Sequence, residues 1–234
     1  MAWYSMVDRH LQRRGKEMRI QTRELTLTAL LVALVAVATM AIRIPIPATQ
    51  GYFNLGETMV YLSALLFGPW IGGLAGGIGS GLADVLSGYT QFAPFTLLIK
   101  GLEGFVAGVL TQRGGLGATY LGAAFGLVGG IGLVLPENLL SKVGGILLLL
   151  AVVIGGALHL GTRVRPVAGR VFALIVAGAV MVGGYFLSEA FLLGLGVPAA
   201  LGEVPANVMQ VVSGLVIAIP LSEGLRPVVL GRAR

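Results

Sequence analysis

Charge is scarce along this chain, and where it falls limits the fold more than any other feature. Only 11% of the residues are charged, 56% are hydrophobic, and the mean hydropathy is +0.91. A single threading puts thirteen of the sixteen Lys and Arg on one side of a membrane: Arg9, Arg13, Arg14, Lys16, Arg19 and Arg23, then Arg113, Arg163, Arg165, Arg170, Arg226, Arg232 and Arg234. This one-sided placement is the positive-inside pattern of an integral membrane protein with both termini in the cytoplasm. A soluble domain of 234 residues could not be covered by so little polar surface. Charges left inside apolar segments are costly unless they face the bundle, so they point to function.

The net charge of +6 does not suggest nucleic acid. The basic residues lie in tails and between apolar runs, where they meet anionic lipid headgroups, and no aromatic-basic interleaving offers a stacking surface for bases. The absence of Cys excludes disulfides, thiolate catalysis and Cys-ligated metals. Residues 1–24 are too polar for a secretory signal and read as a cytoplasmic basic tail or an interfacial helix. Residues 25–225 read as one transmembrane domain, and 226–234 as a cytoplasmic tail.

Eight apolar segments, at 25–42, 54–68, 70–86, 94–111, 116–135, 145–160, 171–193 and 204–222, approach the ~20 residues that a crossing needs. The second and third are short, and the third is dense in glycine, which permits close helix contact in a bilayer. Between the first two, prolines and a glycine rule out a simple helix.

The polar groups within or next to these segments, read as buried or nearly so, are Glu57, Asp84, Lys100, Glu103, Glu189, Glu203, Asn207, Gln210 and Glu223. Lys100 and Glu103, three apart, share a helix face and form either a ligand site or a structural ion pair. Glu203, Asn207 and Gln210, at spacings of four and three, make one polar stripe, for ligand contact or for interhelical hydrogen bonds. Glu57, Asp84, Glu189 and Glu203 all fall near the outer ends of their segments. Tyr52, Phe53, Tyr89 and Phe92 either stack on a planar ligand or form an interfacial aromatic belt, for which Trp70 lies at the inner boundary. Ala29, Ala33, Val37 and Ala41 draw a small-residue line along the first segment, fit for a close helix approach or for packing within the bundle.

Catalysis finds no support. His10 and His159 have no partner at motif spacing, no metal-ligand set assembles, and no Walker sequence is present. ATP hydrolysis, if the protein depends on it, belongs to another chain.

One long stretch, GYFNLGETMVYLSALLFGPWIGGLAGGIGSGLADVLSGYTQFAPFTLLIKGLEGFVAGVL, carries Gly56-Glu57, Leu66-Phe67-Gly68-Pro69, the Gly72–Gly81 run, Asp84, Gly88-Tyr89 and Lys100-Gly101-Leu102-Glu103-Gly104. With the later GYFLSEAFL and EVPANVMQ, it resembles the substrate-binding S components of energy-coupling factor (ECF) transporters, in the vitamin group that includes hydroxymethylpyrimidine- and pyridoxine-type members. The resemblance implies an all-α, six-helix transmembrane core that binds a vitamin near the outer face, and the Pro45–Asn54 loop as its lid. It also implies a transmembrane coupling protein and two cytoplasmic ATPases as partners, with Ala29 and Ala33 at the coupling interface. Residues 115–165 exceed the connection such a core needs and read as an inserted hairpin, giving about eight spans.

The combined expectation is a multi-pass subunit in a prokaryotic cell membrane that captures a small planar vitamin or precursor, of pyridoxine or hydroxymethylpyrimidine type. It has no intrinsic cofactor, and the expected site residues are Tyr52, Asn54, Glu57, Tyr89, Lys100, Glu103, Glu189, Glu203, Asn207 and Gln210. Two other readings stay open: an autonomous ion-coupled secondary transporter relaying through Glu57, Asp84 and Glu189, and a membrane scaffold without a pocket.

Overall fold

The computed structural model of the chain describes residues 2–47, 49, 51–112 and 166–231. Among these described residues, six α-helices and one short hairpin form an all-α bundle: α1 (Ala2–Ala41), β1 (Arg43–Ile46), β2 (Gly51–Asn54), α2 (Glu57–Phe67), α3 (Pro69–Ser87), α4 (Ala93–Gln112), α5 (Pro166–Leu187, extended by a π-helical turn, Ser188–Leu192) and α6 (Val197–Leu230).

The eight-span expectation is corrected. Among the described residues four helical segments are long and apolar enough to cross a membrane: Thr22–Ala41, Ala93–Thr111, Val167–Leu192 and Val197–Val229. Helix α2 has 11 residues and, at 1.5 Å per residue, covers about 16 Å, roughly half of a ~30 Å hydrocarbon core. Helix α3 has the length, with 19 residues, but its glycines and Asp84 lower its hydropathy. Hydropathy alone counts each apolar run as a crossing, whereas α2 is apolar because it lies at the centre of the bundle. The proposed hairpin at 115–165 lies outside the described residues.

Nine of the eleven residues of α2 are buried, from Glu57 to Leu66, as expected of a helix enclosed on all sides. Tyr61, Leu65 and Leu66 form the main core with Ala107 and Leu110 of α4, Leu174 of α5 and Ala218 of α6. On the other side of α2, Val60 meets Leu31 and Val35 of α1 and Ala75 of α3. Gly68 adopts φ 87° and ψ −169° between α2 and α3, a conformation that favours glycine. Pro69 then opens α3, where its missing N–H costs nothing.

Helix α3 lies closest to α4, and glycine makes this possible. A Cβ on Gly76 would stand 2.7 Å from the Lys100 carbonyl oxygen, and one on Gly77 2.6 Å from that of Leu97. The glycine run therefore sets the backbone spacing that presents the polar face of α4 to the interior.

The loop over residues 43–54 is an antiparallel hairpin, with Arg43 opposite Asn54 and Pro45 opposite Tyr52. Helix α6 begins at Val197, seven residues before the expected span, and runs through Pro205, Pro220 and Pro227. Neighbouring groups can re-satisfy freed carbonyls in membrane helices, so proline marks a boundary there less sharply than in soluble ones.

Candidate functional site

Strand alternation turns Tyr52 and Asn54 of β2 to one face, and both are buried. Beneath them lies a cavity of ≈ 30 Å³, about the volume of one water. Its walls come from β2 and from five of the helices. Thr39 belongs to α1, Ser80 and Asp84 to α3, Phe92 to the turn before α4, Thr96 and Lys100 to α4, Tyr185 to α5, and Glu203, Asn207 and Gln210 to α6. A larger hollow of ≈ 340 Å³ lies outside, between the hairpin and the turn after α3, lined by Pro45, Ile46, Pro47, Gly51, Gly88, Tyr89 and Gln91. Gly51 borders both, and the rings of Tyr52 and Tyr89 stand 4.6 Å apart at 47°.

Three hydrogen-bond systems organise these walls. The Tyr52 hydroxyl donates to Asp84 Oδ1 at 2.6 Å. Burial, then the neighbouring Asp84 carboxylate, push the Tyr52 phenol above the usual tyrosine range, so it remains a donor. In the second system, Asn54 Nδ2 donates to Gln210 Oε1 at 2.7 Å and Gln210 Nε2 to Asn207 Oδ1 at 2.9 Å. The Gly56 amide holds Asn54 Oδ1 at 2.8 Å. This chain of amides ties the hairpin to the polar stripe of α6.

The third system is ionic. Lys100 donates to Glu57 Oε2 and, at 3.1 Å, to Glu103 Oε2. The Tyr61 hydroxyl lies 3.0 Å from Glu103 Oε1. All three charged side chains are buried, and Glu57 Oε1 has no hydrogen-bond partner. Removing one partner of such a network leaves an uncompensated buried charge.

At the outer end the Thr49 hydroxyl bonds to Glu203 Oε2 and receives the Gly51 amide at 3.2 Å, so Glu203 fastens the hairpin down. A Cβ on Gly51 would lie 2.5 Å from Glu203 Oε1 and 2.8 Å from Oε2. Gly51→Val is therefore expected to lift the hairpin and raise hydrogen exchange of its amides about tenfold, a shift worth ~1.4 kcal/mol. Exchange mass spectrometry over residues 43–54 reads this.

Of the expected site residues, Tyr52, Asn54, Lys100, Glu203, Asn207 and Gln210 line the inner cavity. Glu57 and Glu103 sit behind Lys100, and Tyr89 lines the outer hollow. Glu189, in the π-helical turn, is buried beside Glu203, and neither of its carboxylate oxygens has a hydrogen-bond partner.

The wall also includes Thr39, Ser80, Asp84, Phe92, Thr96 and Tyr185, which the expected set omits. A signal for three of them exists in the spacing. Ser80 is four residues before Asp84, Thr96 four before Lys100 and Tyr185 four before Glu189, so each shares a helix face with a charge. Among the described residues no group of three or more His, Asp or Glu is placed to hold a metal ion.

A helical bundle closed by a hairpin over a polar cavity agrees with the comparisons to known proteins. A family model for the ECF-type riboflavin transporter, S component, matches residues 19–135, half of the chain. The chain belongs to the family of ECF-type S components, a class of non-catalytic, substrate-binding membrane subunits. Over 74 residues it is 61% identical to an uncharacterized protein of Pyrococcus woesei, covering 32% of this chain and 49% of that protein. Over 92 residues it is 30% identical to the thiamine precursor transporter HmpT of Lactococcus lactis subsp. cremoris (strain MG1363), covering 39% and 55%. The chain thus spans about half the length of the curated relatives it matches. It is a multi-spanning membrane protein with prokaryotic relatives, as expected of a cell-membrane transport component.

Proposed function

We propose that this protein captures a small water-soluble vitamin or precursor at the outer face of the cell membrane and holds it in the cavity under the hairpin. The observation that carries this reading is the cavity wall, which joins aromatic faces (Tyr52, Phe92, Tyr185) to amides and hydroxyls on several elements. Such a wall suits a flat ring with polar edges. The aromatic rings would stack on it, Asn54, Asn207 and Gln210 would read its edges, and Asp84, Glu203 and Lys100 would anchor its polar substituents. Glu57, Glu103, Tyr89 and Glu189 act from behind or beside this wall.

The inner cavity has room for about one water, so any vitamin must move the wall or the hairpin, and a single ring of pyridoxine or hydroxymethylpyrimidine type requires the smaller displacement. The thiamine precursor named for the Lactococcus relative is in keeping with that choice. The family model's description favours riboflavin instead, and this is the second reading. Isothermal titration of the purified protein separates them: the first reading expects submicromolar binding of a single-ring vitamin or precursor and much weaker binding of riboflavin. Tighter binding of riboflavin would replace it with the second.

Release inward requires energy that this subunit does not supply, and a transmembrane coupling protein with two cytoplasmic ATPases is the proposed source. Ala29, Ala33, Val37 and Ala41 are all exposed on one face of α1, opposite the buried Leu31 and Val35. Such a face lets another helix approach closely. Leu at both Ala29 and Ala33 is expected to abolish co-purification of the coupling protein while ligand affinity stays within about twofold. Retained co-purification would refute the docking role.

A further inference from the structure

The inner cavity offers an anion little to bind. Asp84 and Glu203 line it, and Lys100 is its single lining cation. Lys100 is already held by Glu57 and Glu103, and Glu189 adds a further carboxyl group beside Glu203. Five carboxyl groups thus surround one ammonium at or just behind the wall. Arg43, which also acts on Tyr52, is exposed on the hairpin. Two observations independent of this acidic set mark the place as a ligand site. Thr39 lines the cavity at 2% exposure, and its hydroxyl has no hydrogen-bond partner. Tyr52 and Phe92, both buried, supply aromatic surface on the same cavity.

An anion entering this space would lose its hydration with no free cation among the described residues to compensate it, and any carboxyl group that is ionised would repel it. Lys100 cannot answer it fully, because two of its three N–H donors are directed at Glu57 and Glu103. A protonated ring nitrogen or an amino substituent would instead donate to Asp84 or Glu203, and where either partner is charged the contact is stronger than a neutral one.

We infer that the site selects the unphosphorylated form of its ligand, a heterocycle with no anionic group and with at least one nitrogen-bound hydrogen or basic ring nitrogen turned to Asp84 and Glu203. The inference rests on the capture reading and adds its charge rule: a phosphate ester of the same vitamin is rejected at the binding step. The class of reaction that phosphorylates the ligand then belongs after uptake.

The test is titration of the purified full chain with matched pairs: pyridoxine and pyridoxine 5′-phosphate, hydroxymethylpyrimidine and its monophosphate, thiamine and thiamine monophosphate, riboflavin and flavin mononucleotide. For whichever vitamin binds, its ester is expected to bind at least about 100-fold more weakly. The combined substitutions Asp84→Asn and Glu203→Gln are expected to bring that ratio below about tenfold, mainly by weakening the free vitamin and admitting the ester. An ester that binds wild-type protein within threefold of its vitamin overturns the charge rule and leaves the capture reading intact. That comparison needs no variant, so misfolding of the double variant cannot obscure it. Failure of every pair to bind overturns the capture reading and the charge rule with it.

Discussion

Replacing Lys100 with Met is expected to lower stability by about 3–5 kcal/mol, the usual cost of leaving a buried ion network without one of its partners. Glu57 and Glu103 would then remain buried with no counter-charge between them. Thermal unfolding in detergent measures the loss. The double variant Lys100→Met with Glu57→Gln separates folding from binding. It removes one of the two stranded carboxylates and is expected to recover at least half of the lost stability. Its ligand affinity is expected to stay at least tenfold below wild type, because Lys100 also lines the cavity and its ammonium has a third donor to offer. Unchanged affinity in a well-folded double variant would show that Lys100 only neutralises its neighbours.

The second large effect is expected at the contact between α3 and α4. In Gly76→Leu the new side chain begins 2.7 Å from the Lys100 carbonyl oxygen and 3.0 Å from Val60 Cγ1. The carbonyl is backbone, so it can yield only if α4 moves. Overpacking of this kind costs about 3 kcal/mol, which lowers the melting temperature by roughly 10 °C in a chain of this size. Because α4 also carries Thr96 and Lys100 into the cavity, binding should weaken in the same variant. Gly183→Leu is the control. A Cβ there has nothing within 4 Å, and the change should be tolerated. Equal loss in both variants would mean that the glycine run does not set the helix spacing.

How much of this was legible in the sequence depended on the kind of signal each segment carried. The apolar parts of α1, α4 and α5 have long windows of high hydropathy, and their positions could be read directly. Helix α2 could not be assigned its role, because an apolar run looks the same whether it faces lipid or is wrapped by other helices. Its 11 residues were the available clue, and bundle burial resolved the ambiguity. The start of α6 lies before the expected span because LGLGVPAALGE, with its glycines and Pro198, reads as a loop, whereas the helix opens at Val197.

In the cavity, charges and amides were easier to recognise than hydroxyls. The Glu203, Asn207 and Gln210 stripe stands out in an apolar helix, and all three residues reach the cavity. Thr39, Ser80 and Thr96 do not stand out, since hydroxyls in such helices commonly bond to their own backbone. Ser63 to the Met59 carbonyl and Thr111 to that of Ala107 do so here. Asp84 was conspicuous as an intramembrane carboxyl group. Its place in the wall emerges only when the hairpin folds over and Tyr52 reaches it from 32 residues away.

The central claim is that the space under the hairpin holds a vitamin. Mass spectrometry of small molecules released from gently purified protein tests it most directly. The account predicts one unphosphorylated single-ring vitamin or precursor, released in about equimolar amount and lost from the Lys100→Met, Glu57→Gln variant. Protein that carries no small molecule and gains no thermal stability from any member of a vitamin panel would contradict it.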